Sequence, residues 1–187
     1  MLENKAKATV TTNNKESHTN KNWKLRLEDK EFAEWIKEQK RHILFFDGAA
    51  KNNLGKAGVG GVILDPNRQK IITYECSLGE MTNNRVKAYN LLLGTRFLNK
   101  NPFKNPITIG DSAIIIAALD ANRDIKSIAI NKIYEMIRAS FEILGNLNLN
   151  HVLRNQNKDA DSHANKAIDR SVGIVKEKNE VYEESIP

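Results

Sequence analysis

Between His42 and Leu78 three apolar runs follow one another with only short polar breaks, and this constrains the fold more than any other feature of the chain. HILFFDGAA reads as a buried strand ending at Asp47, and AGVGGVILDP as a second, stopped by Pro66 with Asn67 and Arg68 in the turn. KIITYECSLG supplies the third. Runs of strand length rich in β-branched and aromatic residues, bounded by turn residues, predict strands. The breaks are too short for a crossover helix, so these strands should form an antiparallel meander.

The period then changes. Thr82 is a suitable N-cap, and Val86, Tyr89, Leu93 and Phe97 recur at helical intervals as far as Asn99. PITIGDS predicts a short strand ending at Asp111, with Ser112 capping a helix through IIIAALDA. Residues 127–145 predict a longer amphipathic helix closed by Gly145, LNLNHVLRN a fifth strand, and DADSHANKAIDR a last helix starting near Asp159. The order β-β-β-α-β-α-α-β-α predicts a mixed α/β fold, a five-stranded sheet with its first three strands antiparallel and helices packed on it.

The flanks differ in character. Residues 1–22 carry almost no large apolar side chain and are expected to be disordered. In 23–41, Phe32, Trp35 and Ile36 fall at helical spacing among charges, which predicts an amphipathic helix or linker leading into a domain over 42–170. Trp23 and Trp35 are expected to dock that segment rather than stack on bases. Residues 171–187 set four glutamates against two lysines and read as a flexible acidic tail.

Several function classes are disfavoured. No run approaches a membrane span and the first residues lack an apolar signal core, so an intracellular protein, nuclear or cytoplasmic, is expected. The single cysteine, Cys76, sits inside an apolar strand and reads as core filler. Gly55, Gly58, Gly60 and Gly61 lack the Gly-Lys-Ser/Thr ending of a phosphate loop and suggest close strand packing or a bulge. His42, His151 and His163 have no paired zinc-ligand spacing, and His163 is expected at the surface. A net charge of +6 favours a polyanionic partner.

Against this background Asp47, Asp111 and Asp161 stand out, each where a strand meets a turn or a helix begins. A lone Asp there is usually a turn former or a cap. Three of them in a basic fold suggest an oxygen-ligand site for Mg²⁺ or Mn²⁺, because hard cations take carboxylates and water. Such a site suits two-metal phosphodiester hydrolysis.

The ordered strings FDGAAKNN followed by GKAGVGGVI, then TNNRVKAYNLLLG, ITIGDS and HVLRNQNKDADSHANKA resemble the type 1 ribonuclease H family, in particular its plant reverse-transcriptase-like branch. The resemblance covers about two thirds of the chain and implies an RNase H-like fold acting on RNA–DNA hybrid. It makes Asp47, Asp111 and Asp161 metal ligands and His151 the mobile histidine that assists release. Thr82, Asn83 and Asn84 match the motif that contacts the hybrid backbone and sugar hydroxyls. Arg154 and Asn157 match the closing motif and would shape the loop around the site, although Arg154 could instead contact phosphate. The 14 residues between Asp111 and Lys126 leave no room for the long basic protrusion of some members.

One position departs from the pattern. Where the family carries a metal-binding glutamate, this chain has Lys87, on the helix face of Asn83 and Asn84 and expected to salt-bridge the aspartates. Exchanging an anion for a cation beside the site costs a divalent ion roughly several kcal/mol at an effective dielectric near 20. The expected function is therefore a weakened or inactive RNA–DNA hybrid ribonuclease. The alternatives are a catalytically silent module for hybrid or double-stranded RNA and a structural remnant of a retroelement polyprotein, for which residues 23–41 would suit a linker from an upstream polymerase. A monomer is expected.

Overall fold

The computed structural model describes residues 23–101, 103–145, 148–178 and 180–183, so the segment expected to be disordered, 1–22, lies outside the described residues. The meander forms as expected, except that the first strand does not end at Asp47: pairing with the second strand carries it on through Gly48 to Ala50. Strands β1 (Ile43–Ala50), β2 (Gly55–Leu64) and β3 (Lys70–Met81) pair antiparallel, with Asp47 opposite Gly60 and Gly60 opposite Glu75. Helix α2 (Asn83–Lys100) follows α1 (Asp29–Glu38) in the chain, and β4 (Ile107–Gly110) returns parallel to β1. Helices α3 (Ala113–Asp120) and α4 (Ile128–Leu144) lead to β5 (Leu149–His151), parallel to β4, and α5 (Lys158–Ala167) crosses back over the sheet. The left-handed Gly145, φ 88°, closes α4 where the sequence placed a glycine stop.

The sheet has seven strands rather than five, in the order β5-β4-β1-β2-β3-β6-β7. The two additions are β6 (Ile174–Glu177) and β7 (Glu180–Glu183), cut from the segment expected to be a flexible tail. Their glutamates conceal a short apolar register: Val175 is fully buried opposite Cys76. A four-residue strand has little local signal of its own. It forms because β3 offers an unpaired edge whose N–H and C=O groups need partners.

Side chains alternate between the faces of β1, and this alternation positions the site. Leu44 and Phe46 enter the larger core with Tyr74, Tyr89, Phe97 and Tyr134, beneath α2 and α4. Ile43, Ile107, Ile109 and Val152 form a smaller core that Phe32 of α1 closes, with Trp35 stacked on Phe32 at 6.1 Å. Segment 23–41 is thus docked on the sheet, and Trp23 is buried in the larger core. Glycines let helices approach closely. A Cβ on Gly60 would lie 2.3 Å from the Ala164 nitrogen of α5, and one on Gly58 2.4 Å from the Ala164 carbonyl oxygen. A register shift between Ala57 and Gly58 supplies the expected bulge. Among the described residues, no helix is long and apolar enough to cross a membrane.

Candidate functional site

Parallel pairing of β4 with β1 matches Ile109 to Phe45, which carries Asp47, two residues further on, level with Asp111 just past β4. The next pairing matches His151 of β5 to Gly110. Helix α5, seated on the glycines of β2, delivers Asp161 from its first turn. These residues line one open cleft of about 500 Å³ with Asn83 and Lys87 from the start of α2, Arg154 from the turn after β5, and Asn165. Gly48 allows this closure, because a Cβ there would lie 2.6 Å from Val86 Cγ1. Thr82 and Asn84 are exposed and do not line the cleft. Thr82 occupies the N-cap position, yet its side chain makes no capping bond.

The carboxylates are crowded. Asp47 is only 6% exposed, and burial first, then the negative charge of Asp111, pushes its carboxyl up to about 8. The Gly48 N–H donates to Asp47 Oδ1 at 2.8 Å and opposes the rise, while Asp161 reinforces it through a hydrogen bond and its charge. Arg154 supplies the nearest counter-charge: its Nη2 donates to Asp161 Oδ1 at 3.2 Å. Asp161, then Asp47 and Asp111, hold this guanidinium above its ordinary value.

The ion pair expected of Lys87 is therefore made by Arg154. Lys87 lines the cleft but, among the described residues, forms no ion pair with the three aspartates. A single 3-10 turn, Arg154–Gln156, puts Arg154 seven residues before Asp161 and within reach of it.

His151 is held in place: its Nε2 lies 3.2 Å from the Asp111 carbonyl oxygen, and the Trp23 ring meets it edge-on at 6.1 Å. Burial lowers its pKa. His163, expected at the surface, is instead mostly covered. Its Nδ1 lies 2.7 Å from Glu75 Oε1, and Arg170 pairs with the other oxygen of the buried Glu75. Gly60 is the reason, since the absent side chain lets α5 sink onto β2 with His163 against the sheet. Asn157 shapes the closing loop by donating from Nδ2 to the Phe46 carbonyl at 2.9 Å. Sequence reasoning missed Asn165, whose signal was its position four residues after Asp161 on one helix face; its Nδ2 donates to the Asp161 carbonyl at 2.9 Å. Cys76 is buried, and its thiol is pushed up to about 11, as befits core filler.

Asp47, Asp111 and Asp161 are hard oxygen donors of the kind Mg²⁺ and Mn²⁺ prefer. They would hold such an ion only against the positive charge that stands beside them. Arg154 already holds Asp161 and Lys87 adds a second cation. Among the described residues, no three His, Cys, Asp or Glu side chains group to hold an ion.

Sheet order, helix placement and the carboxylate cleft together define an RNase H-like α/β domain. The reverse transcriptase-like family model matches residues 45–167, and the chain belongs to that family. Among solved structures it is similar to RNase H1 of the archaeon Halobacterium salinarum, at a TM-score of 0.66 and 25% identity over 70% of this chain and 99% of that one. It is also similar to an RNase H1 isolated from compost by a metagenomic approach and solved with an RNA/DNA hybrid, at 0.64 and 27% over 69% and 97%. The foamy viral protease-reverse transcriptase, solved with an RNA/DNA hybrid, shares the fold at 0.59 and 14% identity, over 72% of this chain and 20% of that one. No curated protein sequence matches significantly.

Proposed function

We propose that this domain engages RNA–DNA hybrid in the cleft of Asp47, Asp111 and Asp161 and that its cleavage of the RNA strand is severely weakened. The observation that carries this reading is Lys87, a cation lining the carboxylate cleft at the position where the family resemblance calls for a glutamate. Arg154 on Asp161 strengthens it, since two cations in the cleft favour phosphate and oppose divalent metal. A similar domain solved with hybrid makes this the substrate class to test. Asn83 beside the carboxylates suits recognition of the 2′-hydroxyls that separate RNA from DNA.

The test is cleavage of end-labelled hybrid with Mg²⁺ and with Mn²⁺, comparing the natural chain with Lys87→Glu, alongside hybrid affinity across a salt series. The natural chain is expected to bind with affinity falling as salt rises and to cut poorly, while the Glu variant cuts. Equal, rapid cleavage by both proteins would overturn the proposed weakening. Binding without cleavage in either folded protein would leave the silent nucleic-acid-binding module as the better reading.

A further inference from the structure

The segment before α1 makes contacts that connect it to the cleft. Trp23 and Leu25 flank the end of β5 as a parallel edge: the His151 N–H donates to the Trp23 carbonyl, and the Leu25 N–H to the His151 carbonyl at 3.0 Å. Further along, Gln156 Nε2 donates to the Leu27 carbonyl at 2.8 Å and to Asp29 Oδ1 at 3.1 Å, and Asn155 Nδ2 donates to the same Asp29 oxygen at 2.8 Å. Asn155 and Gln156 immediately follow Arg154, and all three form one 3-10 turn. The segment thus holds both ends of the stretch that carries His151 and Arg154 into the cleft. It also lies wholly outside the residues matched by the family model, 45–167.

We propose that residues 23–29 are a strap belonging to the nucleic-acid cleft, positioning His151 and the Arg154 turn against the carboxylates. Trp23 anchors the strap at His151, and Asp29 clasps the turn. Without the strap, β5 would be a three-residue edge strand with one side unpaired, and an exposed turn would leave Arg154 with little to direct it. His151 and Arg154 are cleft residues; Trp23 acts through His151 and Asp29 through Arg154, and both are positioning residues.

The affinity part of this inference rests on the proposed hybrid binding, whereas its structural part does not. Four proteins separate the two: the natural chain, Asp29→Ala, Asp29→Asn and Trp23→Ala. Amide hydrogen exchange at residues 151–157 is measured without nucleic acid, and hybrid affinity is measured by anisotropy, each also in an Arg154→Ala background. Asp29→Ala is expected to speed exchange in the 154–157 turn at least tenfold while the β1–β2 meander stays protected. Asp29→Asn, which keeps an oxygen acceptor for Asn155 and Gln156, should restore most of the protection. Hybrid affinity should fall threefold to tenfold in Asp29→Ala, and this loss should vanish when Arg154 is already alanine. Unchanged exchange at 151–157 in both Asp29→Ala and a folded Trp23→Ala would overturn the strap. Faster exchange with an affinity loss that persists in the Arg154→Ala background would overturn its action through Arg154. If no protein binds hybrid, the exchange result still decides the strap while the proposed function fails.

Discussion

The floor and the rim of the cleft are built by different means. The floor, Asp47, Asp111 and Asp161, hangs on strand register and on a helix pressed against glycines, and its central carboxylate is almost wholly buried. The rim, Lys87 and Arg154, stands on a helix start and a one-turn loop, and the Arg154 side chain is 78% exposed. A residue of the floor cannot shift its position without moving the sheet or α5. One on the rim can change sign with little structural consequence. On the proposed reading a cleft of this design keeps its fold while its chemistry drifts, and Lys87, where the resemblance expects a glutamate, stands on the rim.

The largest expected effect comes from breaking the floor. Gly60→Val would drive a side chain into Ala164 and His163 of α5. Thermal unfolding should show a loss of roughly 3 kcal/mol or more, with hybrid binding lost as Asp161 is displaced. A fully stable Gly60→Val protein would mean that the floor is not held as described.

Next is the rim's control of chemistry. Lys87→Glu is expected to raise hybrid cleavage by roughly tenfold to a hundredfold, equivalent to about 1.4 to 2.8 kcal/mol of barrier, with little change in melting temperature. A large fall in stability without gain in rate would blur the division between rim and floor.

Asp47 gives the floor a pH signature. Its carboxyl keeps a proton up to about 8 in the folded protein and loses it near the ordinary value of 3.8 once unfolded. Between those values the folded state binds more protons, so this group's contribution to stability falls as pH rises and levels off above 8. Asp47→Asn keeps an acceptor for the Gly48 N–H and removes the charge. It should be more stable than the natural chain at pH 8 by on the order of 1–3 kcal/mol, with the difference vanishing near pH 4. Denaturation curves at both pH values measure this directly.

The smallest effect belongs to Arg154→Ala. An exposed ion pair screened by solvent contributes little, so unfolding should shift by no more than about 0.5 kcal/mol. Hybrid affinity should nevertheless fall, and the dependence of log affinity on log salt should become shallower by about 1 if Arg154 meets a phosphate. A stability loss as large as that of Gly60→Val would place Arg154 in the floor.

Much of this is legible in the sequence. The meander, the helix with Thr82 at its N-cap, the Gly145 stop and the placement of Asp111 and Asp161 follow from local periodicity and turn chemistry, because each is decided within a few residues; that β1 runs past Asp47 depends on its pairing with β2. The partner of Asp161 was not legible. Helix spacing pointed Lys87 at the cluster, but whether an ammonium or a guanidinium reaches it depends on ångström distances across α2, the closing turn and α5. The strands at 174–183 were hidden for a similar reason, since a few residues among glutamates become a strand only beside an available edge.

Sequence by itself determined the meander, the helices and the next two strands, put Asp111 and Asp161 at the ends of elements, and set Lys87 where the resemblance expects an acid, whereas Asp47 lies inside β1. Local conformational preference and side-chain chemistry act over a few residues and can be read in order along the chain. Only the tertiary structure decided that Arg154 neutralises Asp161, that His163 is clamped to Glu75, and that residues 23–29 brace the cleft. Those outcomes depend on how closely elements far apart in sequence approach, here set by glycines beneath α5 and by strand edges that require partners.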